Sequence, residues 1–373
     1  MSDDTFTHAA IQLTAKSMSV ADLIKAADML RTAGNPGQVE NLYDAWIAHN
    51  AQDPLLYAVL FNYGVALSDC GKLAQAKAAF ERCLATNPSF IPAYINLGRT
   101  YERTGNVGLA ILQWSAALDK MSAVTGTTVS HKITALNQSA RALEDAQQDE
   151  AAENLLRQSL ELDSRQREVI QHYVAVRQRQ CKWPVIQPAE RITATELLQA
   201  MSPLSAGAFA DDPILQLAIA DGYNKRDVGA PSEIQTSWPQ AERGGPLRIG
   251  YLSSDLREHA VGYLMTEVFA LHDRTKVETF AYYCGPDSND RLHDHFRRTA
   301  DHFVSVAGLS DAAAAQRMTD DGVQILVDLN GYTRDARLKL VARRPAPVIV
   351  NWLGFPGTMA SPYHDYIIAD DWI

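Results

Sequence analysis

Two consecutive stretches of the chain superimpose when one is slid thirty-four residues along the other. The first carries Tyr63-Gly64, Leu67, Gly71, Ala76, Phe80, Leu84 and Pro88, and the second carries Leu97-Gly98, Tyr101, Gly105, Ala110, Trp114 and Leu118 at the same offsets. Small residues held at fixed distances from large ones predict antiparallel helix pairs in close contact. Each pair stacks on the next, because no pair can bury its apolar face alone. A third copy, shifted by an insertion around Val124 to Lys132, runs Leu136, Ala140, Leu143, Ala152, Leu156 and Leu160. A degenerate first copy spans about Ala21 to Pro54, with Trp46 at the bulky position. Residues 167–179 then predict a single closing helix with Ile170, Tyr173 and Val174 turned to the previous pair.

This pattern resembles the tetratricopeptide repeat, which implies an array whose groove binds a peptide or protein. A short array can instead dimerise or brace a neighbouring domain, and both uses stay open. The aromatic residues of the pattern belong to packing.

After the array, Cys181-Lys-Trp-Pro184 interrupts the helical period, because proline lacks the donor N–H and biases its predecessor away from helix. Residues 189–201 and 211–220 predict two helices, the second with an acidic start that suits the helix dipole. A polar stretch ending in Gly244-Gly245-Pro246 predicts a linker. No chemistry is visible in this junction, and its expected task is mechanical.

From residue 247 the period changes. Short apolar runs at 247–252, 277–283, 302–306, 324–329, 348–353 and 366–369 predict strands, with helices at 262–272, 291–299, 311–320 and 336–343. Such alternation implies a parallel sheet with right-handed crossovers, and loops that carry chemistry at the carboxyl ends of the strands. His259 follows the first strand, Asp328, Asn330 and Tyr332 end the fourth, and Gly354-Phe-Pro-Gly-Thr358 follows the fifth. Alone, a loop histidine is as well explained by helix capping or solvent exposure, and Asp328 and Asn330 by turn chemistry. No G-x-G-x-x-G follows the first strand and no G-x-x-x-x-G-K-[ST] occurs, which argues against a dinucleotide or P-loop enzyme. His293 and His295 are two apart on a helix and point apart, so no metal site is expected.

A net charge of −10 argues against nucleic acid or an anionic membrane surface as partner. No apolar run approaches the roughly 18 residues needed to span a bilayer, and Met1-Ser-Asp-Asp-Thr-Phe has no signal-peptide character. The four cysteines, Cys70, Cys83, Cys181 and Cys284, form no C-x-x-C, so a reducing cytoplasm is expected.

Several motifs in fixed order carry a second resemblance: Arg248-Ile-Gly-Tyr-Leu-Ser-Ser-Asp255, His259, Leu264-Met265, Ile325-Leu-Val-Asp-Leu-Asn-Gly-Tyr-Thr333, Arg344-Pro-Ala-Pro347, Trp352-Leu-Gly-Phe-Pro-Gly-Thr358 and Asp365-Tyr-Ile-Ile368. They resemble the protein O-linked N-acetylglucosaminyltransferases, in their bacterial SPINDLY-like branch. The resemblance implies a tetratricopeptide array (21–182) after an N-terminal tail (1–20), a junction and linker (183–246), and the first Rossmann-like lobe (247–373) of a two-lobed GT-B glycosyltransferase. It also implies inverting, metal-independent transfer of N-acetylglucosamine from UDP-GlcNAc to a Ser or Thr hydroxyl. In that frame His259 is the histidine at the sugar and the family's disputed base, with Asp321 a lesser relay candidate. Asp328, Asn330, Tyr332, Gly354, Pro356, Gly357 and Thr358 would shape the substrate site, the glycines through close backbone approach. No cofactor is implied beyond the donor substrate. The family's second lobe, which carries most donor contacts, has no counterpart here, so weak or no activity of the chain alone is expected. The alternatives are a non-catalytic repeat-type binding module and an O-fucosyltransferase using GDP-fucose.

Overall fold

The computed structural model describes residues 17–121, 126–239 and 245–371. The tail up to residue 16, residues 122–125 at the start of the expected insertion, residues 240–244 of the linker and residues 372–373 lie outside the described residues. Two compact units emerge: Met1–Trp183 with Gln187–Thr193, and Pro184–Ile186 with Ala194–Ile373. The junction helices therefore belong with the sheet.

The first unit is a helical array. Its helices are α1 (Val20–Thr32), α2 (Pro36–His49), α3 (Leu56–Asp69), α4 (Leu73–Thr86), α5 (Ile91–Arg103), α6 (Val107–Lys120), α7 (Gly126–Asp145), α8 (Asp149–Leu162) and the closing α9 (Arg167–Arg179). The repeat is explained by one contact made twice. A Cβ on Gly64 would lie 2.6 Å from the Phe80 ring, and one on Gly98 would lie 2.3 Å from Trp114 Nε1. The glycine in the first helix of each pair is the space into which the aromatic of the second helix packs. Phe80 and Trp114 are both fully buried. Trp114 is further fixed because its Nε1–H donates to the Ile95 carbonyl at 3.1 Å. The inter-helix turns use Gly71 at φ +75° and Gly105 at φ +79°, left-handed conformations that favour glycine. Trp46, Leu136, Ala140, Ala152, Leu156 and Leu160 of the outer copies are buried as well.

The array is latched at its end by charge. Glu153 of α8 accepts from Arg177 Nη1 of α9 at 2.5 Å, from Lys182 Nζ at 2.6 Å and from Gln180 Nε2 at 3.0 Å. Desolvation pushes the Glu153 carboxyl up. Hydrogen bonds from Lys182, Arg177 and Gln180 outweigh that, so it lies below its usual range. A group depressed in the folded state contributes stability that is present above its unfolded pKa and is lost as pH falls through the folded value.

Two predictions follow from these contacts. Gly98→Ala should destabilise the array by about 1–2 kcal/mol in urea denaturation, because overpacking against a pinned indole outweighs the gain in helix propensity. Gly108→Ala, with nothing within 4 Å, should be neutral or stabilising. Glu153→Gln should cost about 3 kcal/mol at neutral pH, as expected when one partner leaves a buried ion pair. That difference from wild type should shrink as the pH is lowered below the ordinary glutamate range.

In the second unit, α10 (Ala194–Ala200), α11 (Pro203–Phe209) and α12 (Pro213–Tyr223) precede a π-helical turn, Asn224–Val228. The helix expected from residue 189 starts only at 194, since residues 189–192 close a small turn through an Ala189–Ile192 bridge. The sheet follows: β1 (Leu247–Ser253), α13 (Ala260–Met265), α14 (Val268–Leu271), β2 (Val277–Tyr283), α15 (Arg291–Thr299), β3 (His302–Ser305), α16 (Asp311–Asp320), β4 (Ile325–Asp328), α17 (Leu338–Val341), β5 (Val348–Trp352) and β6 (Tyr366–Ile368). One helix expected at 262–272 is two, because Thr266 Oγ1 donates back to the Gly262 and Tyr263 carbonyls and interrupts the ladder. All pairings are parallel, in the order β3-β2-β1-β4-β5-β6. Leu252, Phe280, Tyr282, Leu326 and Ile349 pack on one face, and Tyr251, Ala281, Tyr283 and Val327 on the other. Both faces being covered accounts for the nearly continuous apolar strands.

Candidate functional site

The strand order reverses direction between β1 and β4, and ligands of doubly wound sheets bind at the carboxyl ends of the strands flanking such a point. Here the loops leaving β1 and β4 are tied together by Asn330. Its Oδ1 accepts from Ser254 N at 2.9 Å, and its Nδ2 donates to Ser254 Oγ at 2.9 Å and to Asp255 Oδ2 at 2.8 Å. Asp328 fixes the Asn330 turn, since its Oδ1 accepts from the backbone N–H groups of Asn330 at 3.0 Å and Gly331 at 3.1 Å. Ser254, Asp255, Asp328 and Asn330 are all buried, so the network is part of the core and not a surface decoration.

His259 stands at the rim of this network and is the N-cap of α13. Its Nδ1 accepts from Val261 N at 3.3 Å and lies 3.7 Å from Asp255 Oδ1. With Nδ1 accepting, the neutral ring carries its proton on Nε2, and the side chain is 41% exposed, so this edge has an accessible hydrogen-bond donor. Capping and a site role are therefore compatible in one residue. Arg257 accompanies it, with Nη2 3.6 Å from Asp255 Oδ1.

The loop after β5 packs against the Asn330 turn. Tyr332 donates its hydroxyl to Met359 O at 2.5 Å and accepts from Asn224 Nδ2 of the π turn at 3.1 Å. Burial pushes the Tyr332 phenol up to about 12, so it acts as a donor throughout the physiological range. The expected close approach at the glycines is real, but its partner is the protein itself. A Cβ on Gly354 would lie 2.0 Å from Leu329 O, one on Gly357 2.8 Å from the Phe355 ring, and one on Gly331 2.6 Å from Phe355 Cβ. Pro356 is exposed and Thr358 half-buried on the outer side of this loop.

The structure thus brings His259, Asp328, Asn330, Tyr332 and the 354–358 loop to one edge. Asp321 is not among them. It lies before β4 at the opposite edge, where its carbonyl accepts from Arg248 Nη1 at 3.0 Å, one strand length (roughly 20 Å) from the carboxyl ends. Its carboxylate accepts from Arg317 Nε at 2.9 Å and from the Tyr282 hydroxyl at 2.9 Å. His293 and His295 are occupied separately, by the carbonyls of Leu256 and Thr266. Two participants escaped sequence reasoning. Asn224 lies in the junction that showed no chemistry, and His364, whose Nε2 is 3.1 Å from Asp328 Oδ2, follows a loop with no motif spacing of its own.

The fold is that of a doubly wound α/β lobe with a polar site at its topological switch point, in a chain that also carries a helical-repeat array. Residues 230–373 match the model of glycosyl transferase family 41, and residues 57–90 match a tetratricopeptide repeat. The family 41 match takes in the whole of the sheet, from before β1 through β6. The chain is 37% identical over 186 residues to the probable UDP-N-acetylglucosamine–peptide N-acetylglucosaminyltransferase SEC of Arabidopsis thaliana, covering 48% of this chain and 19% of that protein. It is 32% identical over 139 residues to the probable transferase SPINDLY of the same plant, covering 36% and 15%. A solved mutant of Thermobaculum terrenum O-GlcNAc transferase superimposes with a TM-score of 0.53 at 26% identity, over 86% of this chain and 54% of that one. The chain thus spans about half of that solved relative and a fifth or less of these curated ones. Among the described residues no helix is long and apolar enough to cross a membrane.

Replacing His259 separates its two roles. His259→Ala should lose about 0.5–1 kcal/mol of stability with the cap, whereas His259→Asn, whose Oδ1 can accept from Val261 N, should lose only a few tenths, read by urea denaturation.

Proposed function

We propose that this chain serves a protein O-glycosyltransferase that moves N-acetylglucosamine from UDP-GlcNAc to Ser or Thr hydroxyls of proteins held by the repeat array. The observation that carries this reading is geometric. The segments after β1, β4 and β5, each part of the family 41 match, are hydrogen-bonded or packed into one piece at the switch point. In the transfer the acceptor oxygen attacks C1 of the sugar from the face opposite the diphosphate and gives up its proton to solvent or the departing diphosphate, the C1–O bond to the diphosphate breaks with inversion, and UDP departs. Charge grows on the departing diphosphate, and a fixed donor near it lowers the barrier.

His259 Nε2 suits that task. With Nδ1 engaged by the Val261 N–H, the ring presents a donor to the donor sugar or its phosphate, and it can accept the hydroxyl proton only after leaving its cap. Pro356, Gly357 and Thr358 form the outer wall of the same edge. Support for UDP-GlcNAc over GDP-fucose comes from the names of the curated relatives. A cytoplasmic location fits four cysteines that are all free thiols. A second reading, a repeat-type binding protein with a non-catalytic α/β unit, is favoured by one observation: Asp328, Asn330 and Tyr332 direct their polar groups to other protein atoms.

The test is incubation with UDP-GlcNAc or GDP-fucose and an acceptor protein, followed by mass spectrometry of its Ser and Thr residues. Addition of N-acetylhexosamine at a low level, lost in the stable His259→Asn variant, is expected. Fucose addition would move the donor assignment, and no addition from either donor would favour the binding protein.

A further inference from the structure

Asp328 is 2% exposed, and among the described residues its hydrogen-bonding side-chain partner beyond its own turn is His364. The His364 imidazole, itself 4% exposed, places Nε2 3.1 Å from Asp328 Oδ2 and Nδ1 2.9 Å from Ser361 Oγ. Ser361 Oγ accepts from Tyr363 N at 3.2 Å, so its own hydrogen is available for Nδ1. Nε2 then carries the ring proton and donates it to Asp328. The other Asp328 oxygen holds the amides of Asn330 and Gly331, and Asn330 holds Ser254 and Asp255. Asp255 faces His259. A continuous line of contacts therefore runs from the loop before β6, across the end of β4, to the histidine after β1.

We propose that His364 is a positioning residue, which through Asp328 and Asn330 fixes Ser254, Asp255 and the cap of His259. It rests on the glycosyl-transfer reading for its purpose but not for its geometry. Ring and carboxylate are both buried, so a hydrogen-bond donor is required there and packing alone does not suffice. Glutamine can supply a donor in the place of Nε2, whereas leucine fills similar space without one.

The test compares amide hydrogen exchange of the whole chain with His364→Gln and His364→Leu. His364→Leu should speed exchange at Ser254, Asn330 and Gly331 at least tenfold while leaving Phe280 and Tyr282 in β2 unchanged. His364→Gln should stay within about threefold of wild type. Should His364→Leu fail to fold, Asp328→Asn, which sets a donor against Nε2, should give the same local pattern. Equal protection in all variants, or faster exchange spread evenly over the sheet, would overturn the proposal. In the transfer assay His364→Leu should lower kcat at least tenfold with KM for the donor changed less than threefold. A protein without transfer would defeat the proposed function, yet the exchange pattern would still decide the His364 contact.

Discussion

The α/β unit depends on one side-chain amide. Asn330 spans the gap between the β1 and β4 loops and satisfies donors and acceptors on both sides, which leaves the switch point closed by protein. In a dinucleotide enzyme that gap is kept open by glycines so that a pyrophosphate can enter. Here the glycines at 331 and 354 bring protein against protein, and the exposed polar edge lies outward at the rim, where His259 stands. A buried polar network of this kind is stabilising only when each member is satisfied, so Asp328 and its partners define a single arrangement of the loops.

The repeat unit follows a parallel logic with apolar groups. Gly64 and Gly98 admit Phe80 and Trp114, and the thirty-four-residue spacing is the sequence trace of that fit. Its far end is terminated differently, by the Glu153 cluster that secures the closing helix to α8.

Much of this was legible beforehand, for a physical reason. Strands buried on both faces are continuous apolar runs, and helix pairs leave a small-against-large pattern, so the six strands and the array appear in the sequence within a residue or two. The Asp328–Tyr332 turn and the 354–358 loop were visible through their glycine, proline and polar spacing. The cap role of His259 was visible as one of two readings, and the structure shows that it holds. Other features depend on tertiary neighbours. Residues 328 and 364 meet only once the loop after β5 returns over the sheet, and Asn224 reaches Tyr332 across 108 residues of sequence. Asp321 lies away from this edge because it precedes β4, so the parallel register leaves it at the amino end of the strands, which sequence spacing alone does not reveal.

The central claim is that the donor sugar meets the edge formed by His259, the Asn330 turn and the 354–358 loop. The most direct measurement is NMR chemical-shift mapping of the isotopically labelled chain titrated with UDP-GlcNAc, which registers weak binding. Shifts confined to residues 254–263, 330–333 and 354–361 are predicted. Shifts at Arg248 and Asp321 on the opposite edge, or none anywhere in the sheet, would contradict the account.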